Sequence, residues 1–141
     1  RKIESNELHD NVIITGQQDH SLMPFYLALC DILTAPFSEK GKRWSYGFSP
    51  LKIFEYLAMG KPIIATAIPW IEEIIDKNIG RIIPPKDPTT MANSIIELLE
   101  NPKLREKMGE KSRQKALKDY DWNVIGRQLF KVYSNLLEGP T

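Results

Sequence analysis

Two kinds of apolar pattern alternate along the chain. Four short runs carry little or no polar alternation: Val12-Ile13-Ile14-Thr15-Gly16, Asp31-Ile32-Leu33-Thr34-Ala35-Pro36, Ile63-Ile64-Ala65 and Arg81-Ile82-Ile83-Pro84. Runs of that length predict strands covered on both faces, as in a parallel sheet. Between them apolar residues recur at helical spacing. Residues 22–30 predict an apolar helix with Pro24 in its first turn, and residues 69–75 a short one begun by Pro69 and closed by Asn78 and Gly80. Asp87-Pro88-Thr89-Thr90 caps a helix whose Met91, Ile95, Ile96, Leu98 and Leu99 line a core face, and Asn101-Pro102 ends it. Asp121 caps a last helix in which Trp122, Ile125, Leu129, Val132, Tyr133 and Leu136 form one apolar stripe in need of a partner surface. The alternation of strand and helix predicts the α/β class, with a mainly parallel sheet of at least four strands.

The most informative stretch covers residues 47–66, which read as a loop, a short helix and a buried strand. Ser49 is a suitable N-cap and Pro50 suits the first helical position, where no N–H is needed. Gly60 supplies a left-handed C-terminal cap and Pro62 prevents the helix from continuing. A helix start after a glycine-containing loop presents N–H groups and the positive end of the helix dipole to an anion such as phosphate. Lys52 adds a full charge there, and Glu55, three residues on, lies on the same face, where its carboxylate can accept from a vicinal diol such as a ribose. The competing reading makes Lys52 and Glu55 an exposed ion pair.

This stretch resembles the signature of the retaining glycosyltransferases of the group 1, family 4-like type, which have the GT-B plan of two Rossmann-like domains. Glu55, Ala58, Gly60, Pro62, Ile63, Ile64 and Ala65 match the pattern in order, whereas Gly47 stands where the family has its first Glu. The likeness extends over residues 12–137. It implies a Rossmann-like three-layer αβα domain, the C-terminal half of a GT-B fold lacking its first strand–helix units, with residues 1–141 as one partial domain and the N-terminal, acceptor-binding domain outside the chain. It implies binding of a nucleotide-diphosphate sugar and sugar transfer with retention, with no metal or other cofactor. Glu55 would hold the ribose, and Ser49, Pro50, Leu51 and Lys52 would meet the diphosphate. No residue of the chain is assigned the catalytic role. The acceptor, a carbohydrate or a lipid-linked molecule, belongs to the missing domain, and the fragment alone is expected to be inactive. The absent first Glu keeps open a non-catalytic nucleotide-binding or assembly module; sugar-nucleotide epimerases and phosphorylases share the plan.

Composition narrows the field further. A length of 141 residues suits one core, and a formal net charge of +1 gives no argument for nucleic acid. The single Cys30 is expected to be a small buried hydrophobe, and one cysteine with two separated histidines supports neither a disulfide framework nor a zinc site. His9 and His20 read as surface or capping residues. The loop at residues 37–48 holds Trp44 and Tyr46, which could anchor it or stack on a base, and Lys40, Lys42 and Arg43. Residues 103–118 carry a basic helix with a thin apolar stripe, Leu104 and Met108, for which a solvated face is favoured over contact with an anionic membrane. With no signal peptide and no apolar run of membrane-spanning length, the expected location is cytoplasmic, with peripheral contact at the inner membrane face as the alternative.

Overall fold

The middle strand sets the architecture. In the computed structural model, which describes residues 2–37 and 50–138, β1 (Leu33–Ala35), β2 (Ile63–Thr66) and β3 (Gly80–Ile83) form one parallel sheet in that order. Leu33, Thr34 and Ala35 stand opposite Ile63, Ile64 and Ala65, and Gly80 stands opposite Ile63 on the other side. All four residues of β2 are buried, so both of its faces need cover.

Strand alternation sends Ile63 and Ala65 to one face and Ile64 to the other. The first face is covered by α3 (Leu51–Ala58) and α4 (Pro69–Ile74), through Ile53, Leu57, Ile71 and Ile74. Each is a crossover to the next strand in the same direction, and right-handed crossovers place both on one side. On the second face α5 (Pro88–Glu100) and the start of α6 (Pro102–Lys115) bring Leu98 and Met108 against Ile64 and Ile83. The end of α6 crosses beneath the amino end of β2, and the π-helical turn Ala116–Tyr120 rejoins the first face, where Tyr120 packs 4.7 Å from Phe54 between ring centroids. The plan is the expected Rossmann-like α/β/α sandwich.

The crossing of α6 over the end of α3 depends on two glycines. Gly60 adopts φ +65° and stops α3, its N–H donating to the Leu57 carbonyl at 3.0 Å. Gly109 lies so close that a Cβ on it would overlap the Gly60 carbonyl oxygen. Ser112, fully buried, donates its hydroxyl to the Lys61 carbonyl at 3.0 Å. Arg113 donates to the Ala58 carbonyl at 2.5 Å, and Arg105 to the Leu98 and Leu99 carbonyls at 2.8 and 2.7 Å. Two cations of the basic helix therefore close helix C-termini, where orphan carbonyls and the negative dipole end gather; Arg105 is half-buried there and Arg113 stays exposed. The solvated face expected of this run holds for Arg113 and not for Arg105, whose side chain is 20% exposed.

Asp87 and Asp121 cap helices as the sequence predicts, and Asn101, read there only as the end of one helix, also caps the next. Asp87 accepts from the Thr90 N–H at 2.9 Å, Asn101 from the Leu104 N–H at 3.1 Å, and Asp121 from the Asn123 N–H at 2.8 Å. Pro24 sits in the first turn of α2 (Met23–Leu29), which follows the 3-10 turn His20–Leu22. The chain begins with α1 (Lys2–Ser5) and ends with α7 (Trp122–Glu138), whose predicted apolar stripe lies open: Leu129, Val132, Tyr133 and Leu136 are exposed and Trp122 is 86% exposed.

Several expectations are corrected. Val12-Ile13-Ile14-Thr15-Gly16 is not a strand; Ile13 and Ile14 are 87% and 76% exposed. An apolar run becomes a strand only where a neighbour takes its N–H and C=O groups, and among the described residues no strand stands beside it. The described sheet accordingly has three strands, not four. Gly80 opens β3 instead of closing α4, because a Cβ there would collide with the Ile63 carbonyl of β2. Cys30 is half-buried, its Sγ 3.4 Å from the Tyr26 carbonyl. Trp44, Tyr46, Lys40, Lys42 and Arg43 lie outside the described residues.

Gly109→Ala should lower stability by about 1–3 kcal/mol despite alanine's better helix propensity, because the added methyl meets backbone that cannot move without parting α3 from α6. Gly126→Ala in α7, where a Cβ meets nothing within 4 Å, should stabilise the chain by about 0.5–1 kcal/mol. Thermal melts of the two variants check the opposite signs.

Candidate functional site

Three parallel strands end at one edge, and the residues just past them define a hollow. Pro36 and Phe37 follow β1, Thr66 ends β2, and Pro84, Lys86 and Asp87 follow β3; with their neighbours they line a cavity of about 260 Å³. Ligands of open α/β sheets bind in the crevice outside the carboxyl ends of the strands. Sequence reasoning singled out the loop after β1 but missed Thr66, Pro84 and Lys86, whose signal was their place directly after apolar runs. Lys86 holds a left-handed φ of +58°, which turns the chain from β3 into the Asp87 cap. Hydrogen bonds from the Thr90 hydroxyl and N–H hold the Asp87 carboxyl below its ordinary range.

Helix α3 starts from the same edge, since it leads from the end of β1 back to the beginning of β2. Its first helical residue is Leu51, which is exposed, and Pro50 is the cap rather than the first turn. Pro50 has a non-helical ψ of 74°, while its carbonyl already accepts from the Ile53 N–H at 2.8 Å. Ser49, the expected cap, lies outside the described residues, as does Gly47. Lys52 stands with Nζ 5.3 Å from the centre of the Phe37 ring, a cation–π contact that draws its charge toward the strand ends.

Glu55 is one turn further along α3, with its side chain 41% exposed. The ion pair with Lys52 is not formed. Among the described residues the side-chain partner of Glu55 is His20, whose Nε2 lies 3.3 Å from Oε1. Asp19, not His20, caps the 3-10 turn: its Oδ1 accepts from the Ser21 N–H at 2.8 Å and hydroxyl at 2.6 Å, which lowers its pKa. His20 is thereby free to reach α3, a contact between residues 35 apart that sequence spacing does not reveal. On the sheet side of α3, the Tyr56 hydroxyl donates to the Thr34 carbonyl at 3.3 Å. Leu33 bonds toward β2, so the polar groups of Thr34 point away from it, and Tyr56 covers part of that open strand edge. Burial raises the Tyr56 pKa.

A larger hollow, about 410 Å³, lies at the opposite edge beside Ile79, Lys111, Lys115 and Lys118. It sits before β3 begins, and Lys115 already pairs with Asp119 at 3.6 Å. Neither Lys52 nor Glu55 lines the hollow at the carboxyl edge: Lys52 reaches its rim through Phe37, and Glu55 lines a separate groove with His20. Among the described residues no helix is long and apolar enough to cross a membrane.

Comparison with known proteins agrees with the fold. The family described as "Glycosyl transferases group 1" matches residues 1–115. The alpha-D-kanosaminyltransferase of Streptomyces kanamyceticus is 28% identical over 137 residues, 95% of this chain and 33% of its own length. A phosphatidyl-myo-inositol mannosyltransferase of Mycobacterium leprae is 25% identical over 134 residues, 94% of this chain and 34% of its own. The fold matches sucrose-phosphate synthase of Thermosynechococcus elongatus with a TM-score of 0.82 at 25% identity, over 97% of this chain and 33% of that one. It also matches Anabaena HepE, solved in complex with UDP, with a TM-score of 0.80 at 20% identity, over 94% of this chain and 35% of that one. The chain thus spans about a third of the length of these relatives.

The Asp87 cap should give the carboxyl edge a defined acid sensitivity. Its folded pKa lies below the ordinary 3.8, so its contribution is full above that value and is lost as pH falls through the folded one. Asp87→Asn is expected to melt below the parent chain near neutral pH, with the gap closing once pH falls below the folded pKa; melting curves against pH check this.

Proposed function

Because residues 1–115 match that family, the chain belongs to the group 1 glycosyl transferases, and we propose that it is the part of such an enzyme that binds the nucleotide-diphosphate sugar donor. One observation carries the reading: an exposed carboxylate, Glu55, stands one turn behind Lys52 on a helix that starts at the carboxyl edge of a parallel sheet. The start of α3, with Pro50, Leu51 and Lys52, faces the diphosphate; Ser49 belongs to the same turn by sequence. Helix geometry puts Glu55 about 4.5 Å further along the axis than Lys52, the short step from a diphosphate to a ribose. UDP in the complex of the similarly folded Anabaena HepE agrees with a nucleoside diphosphate at this fold.

In this reading sugar transfer proceeds with retention, and the donor is held by protein groups without a metal. The protein contributes position and charge: α3 and Lys52 offset the negative charge that gathers on the departing nucleoside diphosphate as the sugar–phosphate bond breaks. The acceptor and the remaining groups of the cleft come from a second domain, so the 141 residues alone bind but do not transfer.

Two outcomes follow. Glu55→Ala in the intact protein should weaken nucleotide binding by roughly tenfold to a few hundredfold, since a hydrogen bond to a charged acceptor is worth about 1.5–3 kcal/mol. Its melting temperature should barely move, because the side chain packs in no core cluster. Calorimetric titration and thermal melts check both; unchanged affinity with a lowered melting temperature would make Glu55 a structural residue. The 141-residue chain assayed alone with UDP-, GDP- and ADP-sugars should show binding to one of them and no transfer; binding to none would favour an assembly module.

A further inference from the structure

We propose that His20 is a positioning residue, which holds the Glu55 carboxylate in the orientation that receives the donor's ribose; the inference rests on the ribose reading of Glu55. The two side chains meet at 3.3 Å between Nε2 and Oε1, and His20 also lies in the field of the neighbouring Asp19 carboxylate. They come from different elements. His20 stands on the 3-10 turn that leads into α2, and Glu55 on α3, at the mouth of a groove of about 180 Å³ that Met23, Leu27, Ala58 and Met59 floor.

The turn that carries His20 is braced independently of Glu55. Asp19 ties down the Ser21 N–H and hydroxyl, the Leu22 N–H donates to the Asp19 carbonyl at 3.0 Å, and α2 continues directly from the turn. An imidazole on such a support fixes a glutamate that otherwise samples many rotamers in water. Fixing it before the ligand arrives removes part of the ordering cost of binding. A carboxylate has two oxygens and about four acceptor sites, so Oε1 toward His20 leaves Oε2 for ribose hydroxyls.

The pair is not needed for the fold. The His20 side chain is 87% exposed, and an ion pair at such exposure adds little to stability. The other charges nearby do not take its place: Asp19 is engaged by Ser21, and Lys52 leans over Phe37.

The test uses the intact protein and compares UDP, GDP and ADP with their 2′,3′-dideoxy counterparts by calorimetry, together with the melting temperature. The parent protein should prefer the ribose form of its nucleotide by at least about tenfold. His20→Ala should reduce that preference to about two- to threefold, with the affinity for the dideoxy form and the melting temperature unchanged. His20→Gln, whose amide can donate to Oε1, should restore most of it. An equal loss for both sugar forms would mean that His20 touches the nucleotide itself and would overturn the proposal, as would an unchanged preference. Glu55→Ala serves as the separate control: if it keeps the ribose preference, the ribose reading of Glu55 fails, whatever His20 does.

Discussion

The whole structure depends on β2 being buried on both faces. Four residues, Ile63, Ile64, Ala65 and Thr66, expose almost nothing to water. Such a strand is stable only between two layers, which obliges α3 and α4 to lie on one side and α5 with the first half of α6 on the other. The short connections at its ends then become critical. At the amino end, Gly60 and Gly109 let two helices cross almost in backbone contact, and Ser112, Arg105 and Arg113 satisfy carbonyls there. Among the described residues no such close crossing stands at the carboxyl end. The hollow there is lined mainly by apolar residues, Pro36, Phe37, Ile83, Pro84 and Met91, with Thr66, Lys86 and Asp87 beside them.

This division between a tied edge and an open one explains how a site can sit on a small scaffold. The end of α3 is locked by Gly60 and by the Arg113 contact with Ala58, so the direction in which Lys52 and Glu55 project is set by the end of the helix remote from the crevice. Tyr56, on the same helix, faces the sheet and covers Thr34. One short helix thus divides its work: Ile53 and Leu57 hold it to the core, Tyr56 caps an open strand edge, and Lys52 and Glu55 remain available. On each of these points the physical cause is local.

Locality also decides what the sequence could reveal. Gly60, Asp87 and Asp121 were legible as caps because each acts within a few residues of itself. The strands β1, β2 and β3 were legible because their neighbours are present. Val12-Ile13-Ile14-Thr15-Gly16 carries the same apolar pattern, but pairing is a relation with a distant segment, and without one the pattern produces no strand. Of the residues proposed for the site, Glu55 and Lys52 could be named from their motif and helical spacing. His20 could not, because its contact with Glu55 joins residues 35 apart through a turn. The capping roles of Arg105 and Arg113 were hidden for the same reason, each lying in a charged run while its acceptors sit on other helices.

The central claim is that the carboxyl edge and α3 hold a nucleoside diphosphate, with Glu55 on its ribose. A crystal structure of the intact protein grown with UDP, GDP or ADP, whichever binds, tests it most directly. The account predicts phosphates at the start of α3 near Lys52 and the Glu55 carboxylate within about 3 Å of a ribose hydroxyl. A nucleotide seated instead in the hollow beside Lys111, Lys115 and Lys118, or one whose ribose lies away from Glu55, would contradict it.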